Sequence, residues 1–171
     1  MGDTPYIDSS DLDVARKKHR QFLQMPDLAR LGQTTPVVGT WDDHDFGKNN
    51  GNGLNLREGK PRTRQAFVDY RAHDRYGNGR EGVYHKMDLG ALEIFFLDPR
   101  YFSQTEPSPV DGTQPTCFGW QQWEWLLQGL RESKAKFKVL AMGAIWQDKK
   151  NSETDDMFTY WYERDALLDF I

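Results

Sequence analysis

The sequence has little cysteine, no excess of basic charge and no long apolar run, and each shortage excludes a class of protein. The single cysteine, Cys117, excludes a disulfide framework and a cysteine-rich zinc site. No apolar run approaches the roughly 20 residues of a membrane-spanning helix. The chain carries 22 Lys and Arg against 26 Asp and Glu, so nucleic acid is not expected as a default partner.

The length and the aromatic content favour one folded domain. A chain of 171 residues is long enough to bury a sizeable core. Aromatic residues make up 13% of the sequence and include six Trp, which indicates a packed core rather than disorder. We find no internal repeat and no linker that divides the chain. The oligomeric state and any export signal cannot be read from these residues.

Helical and strand patterns alternate along the chain, which predicts an α/β layered fold. Strands 84–89 and 92–97 should form a hairpin, and the apolar residues of the second favour a central position. Strands 37–41 and 137–143 should also be buried, and a polar loop should occupy 147–157. Helices are predicted at 10–24 (capped by Ser9 or Ser10), 26–31, 63–76, 120–133 and 160–171.

An acidic cluster follows the predicted strand 37–41. Three carboxylates and one imidazole occupy the four consecutive positions from Asp42 to Asp45. Carboxylates this close raise one another's pKa unless a cation compensates, and a metal ion would resolve the repulsion. An exposed acidic turn is the alternative. The Gly- and Asn-rich loop 47–61 favours a site, and in it Asn49 or Asn50 fits either a ligand or a turn role.

A second candidate segment runs from Gly2 to Asp8. A Gly before Asp3 permits close approach of the backbone. Asp3 and Tyr6 are three residues apart on a constrained turn, so both oxygens can reach one ion. A phenolate ligand suits a hard, highly charged metal such as ferric iron. Taken alone, the segment also fits a capping turn.

The two segments belong to a longer series of motifs. In chain order these are GDTPYID, TWDDHDFGKNNG, REGVYHKMDLGALEIFFLDPRYF and FGWQQWEWLLQGLRESKAKFKVLAMG. The series closely resembles the alkaline phosphatase D (PhoD-like) branch of the calcineurin-like metallophosphatases over essentially the whole chain. The WDDHD block is quite specific to that branch, and GDTPYID matches its Gly-Asp-x-x-Tyr element.

The resemblance implies a fold and a set of site residues. The fold would be the α/β, αββα metallophosphatase-type sandwich, incomplete at both ends, with residues 1–171 as a partial domain. Asp3 would bridge two metal positions, Tyr6 would ligate the iron-type ion, and Asp43 would be a further metal ligand. His44 would be the catalytic imidazole that protonates the leaving oxygen. The implied cofactors are Fe3+ and Ca2+, although other divalent metals occur in the superfamily.

The resemblance also implies hydrolysis of phosphate-ester small molecules, monoesters or diesters, by a metal-bound hydroxide at a two-metal site. Arg100 is the candidate catalytic cation, and a salt bridge to Asp98 or a neighbouring acid is the alternative. The family's upstream ligand segment and its downstream Gly-Asp-x-His element are not among these residues. We therefore expect this chain to be inactive as it stands and the full-length protein to be active.

Two other functions remain open at this point. One is a truncated, non-catalytic α/β module that keeps a residual cation site. The other is a domain that binds a small anion through the Asn- and Gly-rich loop without metal. The resemblance implies a periplasmic or extracellular location. Packing or surface roles are expected for the remaining histidines, His19, His73 and His85.

Overall fold

The computed structural model describes residues 2–147 and 155–171, which contain six helices and one small sheet joined by long loops. The strands are His85–Asp88 (β1), Leu92–Phe96 (β2) and Phe137–Ala141 (β3). The helices are Leu12–Leu23 (α1), Pro26–Gly32 (α2), Asp43–Phe46 (α3), Lys60–Asp69 (α4), Gly119–Glu132 (α5) and Trp161–Phe170 (α6).

The three strands lie in the order β1-β2-β3, so β2 is central as predicted. β1 and β2 form the predicted antiparallel hairpin, in which His85 lies opposite Phe96. β2 and β3 are parallel, with α5 in the connection between them. The α/β class expected from the sequence is confirmed.

The hydrophobic core consists of two large clusters and a small one formed by Ile7, Ala15 and Ala66. In one of the large clusters, Phe95 and Leu97 of the central strand region pack with Trp123 and Leu126 of α5 and with Leu167 of α6. α5 approaches β2 closely at Gly129, where a Cβ would lie 2.7 Å from the Phe95 ring. The second cluster contains Trp41, Phe46, Phe67, Val83, Tyr84, Tyr101, Phe102 and Tyr76. This second cluster underlies the acidic segments.

Two predicted elements differ from the structure. Residues 37–41 form no strand in the described part of the chain. The carbonyl of Thr40 accepts from Gly2 N (3.1 Å), and its hydroxyl donates to Leu97 O (2.8 Å). The apolar run is buried at Trp41 as expected, but no strand within residues 2–147 and 155–171 pairs with it. The helix predicted at 63–76 is α4, which starts earlier and ends at Asp69. The chain turns away there, and Tyr76 returns against Phe67.

The prediction of a fully buried β3 is wrong in its first half. Phe137 is 58% exposed and Val139 is 42% exposed, because β3 lies at an edge of the sheet. Residues 148–154 of the predicted polar loop lie outside the described residues. Across 2–147 and 155–171, none of the helices has both the length and the apolar character that crossing a membrane requires.

Candidate metal centre

The two acidic segments, far apart in sequence, lie side by side in the structure. The backbone amides of Ile7 and Asp8 both donate to the carbonyl of His44, each at 3.0 Å. Gly2 has a φ of +80°, and a Cβ at this position would lie 2.6 Å from the Cβ of Asp42. A glycine at position 2 therefore lets residues 2–8 run directly along the acidic turn.

Apolar anchors on both sides fix the acidic turn. Trp41 and Phe46 are fully buried; Trp41 lies just before the one-turn helix α3, and Phe46 is its last residue. Asp45 Oδ1 accepts a hydrogen bond of 2.5 Å from Asp42 N and so closes the turn. Asp45 is only 1% exposed, and burial raises its pKa to about 8. The turn leaves Asp43 and His44 to face the segment 2–8.

Asp3, Asp43 and His44 bring potential metal-ligand atoms to within 4.8 Å of one another. Asp3 Oδ1 is buried and has no hydrogen-bond partner among the described residues. Tyr6 donates its hydroxyl to the other oxygen, Asp3 Oδ2, at 3.2 Å. The charge of Asp3 is the main cause that raises the pKa of Tyr6. An unpaired buried carboxylate oxygen beside further hard donors fits a hard metal ion.

His44 is held from two sides. Its Nδ1 lies 2.5 Å from Asp8 Oδ1, and its ring stacks on Tyr6 with centroids 4.1 Å apart. Burial opposes protonation of His44, but the Asp8 hydrogen bond and the charges of Asp43, Asp8 and Asp3 outweigh it, so the pKa is raised. Because Asp8 takes Nδ1, Nε2 is the ring nitrogen that can contact a ligand.

Arg100 lies in the wall of the site, with a side chain that is 2% exposed. Its Nε donates to Asp42 Oδ1 at 2.7 Å, and its Nη2 donates to Asp42 and, at 2.9 Å, to Asp155. The salt bridge that was the alternative role for Arg100 is therefore present, and its partners are Asp42 and Asp155. Asp98 instead accepts the backbone amide of Arg100 at 2.9 Å.

These side chains surround a cavity of about 240 Å³. The backbone amide of Asn50 donates to Asp43 Oδ2 at 2.6 Å, and Asn50 has a φ of +55°. The turn role predicted as one alternative for Asn50 is therefore observed. The cavity lining is made of Asp3, Asp42, Asp43, His44, Asn49, Asn50, Arg100, Ala144, Ile145, Asp155 and Asp156.

Sequence reasoning missed two residues of the site. Asp8 is part of the GDTPYID motif, but its contact with His44 depends on the pairing of the two segments. Its spacing of two residues from Tyr6 is the local signal that could have found it. Asp155 reaches Arg100 from a polar loop, and no local pattern marks it.

The other histidines pack against aromatic rings, as expected: His19 against Tyr70, and His73 against His85.

Comparison with known proteins gives the family and the fold of the chain. A family model described as PhoD-like phosphatase matches residues 4–171. No curated protein matches the chain. A solved structure described as "Structure of PhoD" is similar with a TM-score of 0.73 and 23% sequence identity, which shows a shared fold. The similarity covers 93% of this chain and 36% of that chain, so this chain spans well under half of its solved relative. Since the family model covers almost every residue, the chain belongs to the family of PhoD-like phosphatases.

Proposed function

We propose that the full-length protein hydrolyses phosphate esters with metal ions held partly by this chain. The observation that carries the proposal is the convergence of Asp3, Asp43 and His44, together with the buried Asp3 Oδ1 that has no hydrogen-bond partner among the described residues. Membership of the PhoD-like phosphatase family supports the same reaction class. The substrate class is a phosphate-ester small molecule, either a monoester or a diester.

Three side chains of this chain would hold the metal ions. Asp3 would bridge two ions, because Oδ1 has no partner among residues 2–147 and 155–171 and Oδ2 has only the Tyr6 hydroxyl near it. Tyr6 would give its phenolate oxygen to Fe3+, and Asp43 would be a further carboxylate ligand of the metal ions. When bound, such ions lower the pKa of water and neutralise charge on the phosphate oxygens.

His44 is proposed as the general acid for the leaving oxygen. Asp8 orients the ring through Nδ1, which leaves Nε2 to deliver a proton. Burial lowers the pKa of His44, but the Asp8 hydrogen bond raises it and so favours the protonated imidazole. Stacking on Tyr6 keeps the ring beside the metal ligands. Asp8 therefore acts as a positioning residue for His44.

Arg100 is proposed to attract and hold the substrate phosphate. Two acids already take its Nε and Nη2, whereas Nη1 makes only a contact of 3.5 Å, with Gly51 O, in the described ranges. Nη1 is therefore the atom that can donate to a phosphate oxygen. The pairs with Asp42 and Asp155 fix the guanidinium at the cavity wall. The binding of the phosphate would then not require the side chain to move.

We also propose that residues 1–171 alone do not catalyse the reaction. Ca2+ by itself takes about 6–8 oxygen ligands. The ligands that we propose from this chain are Asp3, Tyr6 and Asp43, which are too few for two ions. The neighbouring acids Asp42 and Asp155 are already paired with Arg100. The chain covers 36% of its solved relative, so the full-length protein has room for further ligands.

By family analogy we propose a periplasmic or extracellular location, which cell fractionation would test.

The test is hydrolysis of p-nitrophenyl phosphate and bis(p-nitrophenyl) phosphate by the full-length protein, with metal content measured by plasma mass spectrometry. Asp43→Ala should lose bound metal together with turnover. His44→Ala should keep its metal but lose turnover about 10²–10⁴-fold. Asp27→Ala, at a side chain that is 96% exposed on α2, is the control and should behave like the wild type.

The outcomes separate the alternatives. Unchanged hydrolysis in both site variants would contradict the site assignment. Bound metal without any turnover in the wild-type protein would favour the non-catalytic module with a cation site. Identical thermal stability with and without a chelator would favour a binding domain that uses no metal, because bound metal stabilises the folded state by mass action.

A further inference from the structure

Ile145 is an apolar residue in a cavity whose walls are mostly polar. Apart from Ala144 and Ile145, every lining residue in the described ranges carries a carboxylate, an amide, an imidazole or a guanidinium. Ala144 is buried, whereas Ile145 is 42% exposed. Ile145 is therefore the apolar residue of the lining that a ligand can cover.

The backbone around Ile145 is fixed at two points. Residues 142–145 follow the carboxyl end of β3 and run against the acidic turn: a Cβ on Gly143 would lie 2.6 Å from the Cβ of Asp42. The carbonyl of Ile145 accepts a hydrogen bond of 2.9 Å from the amide of Met157, which is fully buried. These contacts give the exposed side chain a defined place in the cavity lining.

The same contacts place Ile145 beside the group proposed to hold the phosphate. Asp155 lies two residues before Met157 and pairs with Arg100 Nη2 at 2.9 Å. Asp155 and Ile145 both line the cavity, and so does Arg100. A phosphate held by Arg100 would have polar walls around its oxygens, and the organic group of the ester would need another surface. An apolar organic group gains free energy when it covers apolar surface.

We propose that Ile145 is a specificity-determining residue that favours phosphate esters with an apolar organic group, alkyl or aryl. The inference rests on the proposed hydrolysis of phosphate esters and narrows its substrate class. A polyhydroxylated or charged organic group would lose water against Ile145 without gaining a hydrogen bond there. The site thus discriminates between substrates through the organic group, while the phosphate is recognised in the same way in each of them.

The alternative is that another part of the full-length protein covers Ile145, since this chain spans only 36% of its solved relative. The two roles predict different results for a polar substitution. If protein covers Ile145, the substitution lowers the free energy of unfolding and leaves the preference between ligands unchanged. If a ligand covers Ile145, the substitution changes that preference.

The experiment measures competitive inhibition of the metal-loaded full-length protein by benzylphosphonate and by methylphosphonate. Both carry the same phosphonate group, neither contains an ester bond to hydrolyse, and they differ in their apolar part. The wild type should bind benzylphosphonate more tightly. Ile145→Ser should weaken benzylphosphonate about 10-fold and leave methylphosphonate unchanged.

Two further variants control the experiment. Ile145→Leu keeps the apolar side chain and should keep the preference for benzylphosphonate. Val110→Ser removes a valine that is 40% exposed and lies outside the cavity lining, so it should bind both inhibitors like the wild type. Urea denaturation of each variant confirms that it is folded under the assay conditions.

The outcomes separate the inference from the proposed function. If the wild type binds the two phosphonates equally, or if Ile145→Ser weakens both or neither, the specificity role is overturned while ester hydrolysis stands. If the wild type hydrolyses no phosphate ester, the proposed function itself fails, and the inference fails with it.

Discussion

Two regions of the molecule bury carboxylates in opposite ways. In the interior around Asp98 and Glu163, neutral groups donate to the carboxylates. Asp98 accepts from the indole of Trp41 at 2.6 Å and from Val83 N at 2.8 Å, besides two further backbone amides. Glu163 accepts from the amide of Cys117 at 3.0 Å and from two more donors. Each of these two carboxylates is therefore stabilised by several neutral N–H or O–H donors.

In the acidic corner, residues 2–8 and 42–45, carboxylates crowd together and donors are fewer. Asp3 Oδ1 and Asp45 Oδ2 are buried without a partner in the described chain. Burial raises the pKa of both Asp45 and Asp98, so a raised pKa does not separate the two regions. The unpaired oxygens do separate them. A buried carboxylate with a full set of donors supports the fold, whereas one left short of donors marks a place for a cation.

The largest expected effect tests the interior region. Asp98→Ala leaves the Trp41 indole and three backbone amides buried without an acceptor, so it should lower the free energy of unfolding by about 4 kcal/mol. Urea denaturation measures the loss, which should be independent of metal. Asp88→Ala, at an exposed position with one hydrogen bond to Gly90 N, should cost below about 1 kcal/mol. If both variants lost the same free energy of unfolding, the hydrogen bonds around Asp98 would not contribute to the stability of the fold.

The second effect tests the acidic corner. With metal at 100 times its dissociation constant, the wild-type protein should gain about 2.7 kcal/mol of stability. Asp3→Asn should lose this gain, yet without metal it should be as stable as the wild type within about 1 kcal/mol, since Asp3 Oδ1 has no partner to lose. Thermal unfolding with Ca2+ and with a chelator measures both. If Asp3→Asn were much less stable than the wild type without metal, Asp3 would support the fold, as Asp98 does, rather than bind a cation.

The third effect concerns the close contact between the two acidic segments. Gly2→Ala places a Cβ 2.6 Å from Asp42 Cβ at a φ of +80°, so it should cost about 1–2 kcal/mol and reduce metal affinity. Gly112→Ala, where nothing lies within 4 Å of the new Cβ, is the control. Chemical denaturation and calorimetry measure the two quantities. Gly2→Ala with wild-type metal affinity would mean that the spacing of the segments is unimportant.

A pH-dependent effect compares the two histidines His44 and His85. His44 has a raised pKa, whereas burial lowers the pKa of His85 to about 4. Between pH 6.5 and 4, His85 is protonated in the unfolded chain but remains neutral in the folded chain. The free energy of unfolding therefore falls as the pH falls. The slope is at most about 1.4 kcal/mol per pH unit. His85→Phe, which keeps a ring against Phe96, should show a flatter profile in this window. If the stability of His85→Phe and that of the wild type varied with pH in parallel, the lowered pKa of His85 would be contradicted.

Motifs that the sequence presents locally were predictable, and contacts between distant segments were not. The apolar stripe of α5 and the hairpin of β1 and β2 follow from local periodicity and turn residues. The approach of residues 2–8 to the acidic turn was expected only through the family resemblance. The strand predicted at 37–41 failed because strand formation needs a partner, and Thr40 bonds instead to Gly2 and Leu97. The carboxylates of Asp8 and Asp155 find their partners only in the folded chain.

The most direct test of the metal centre is the anomalous diffraction of crystals of the full-length protein grown with its metals. The account predicts anomalous peaks on both sides of the Asp3 carboxylate, roughly 2.0–2.6 Å from its oxygens. The Asp43 carboxylate should lie at the same distance from one of the peaks. Peaks elsewhere in the protein, with none beside Asp3, would contradict it.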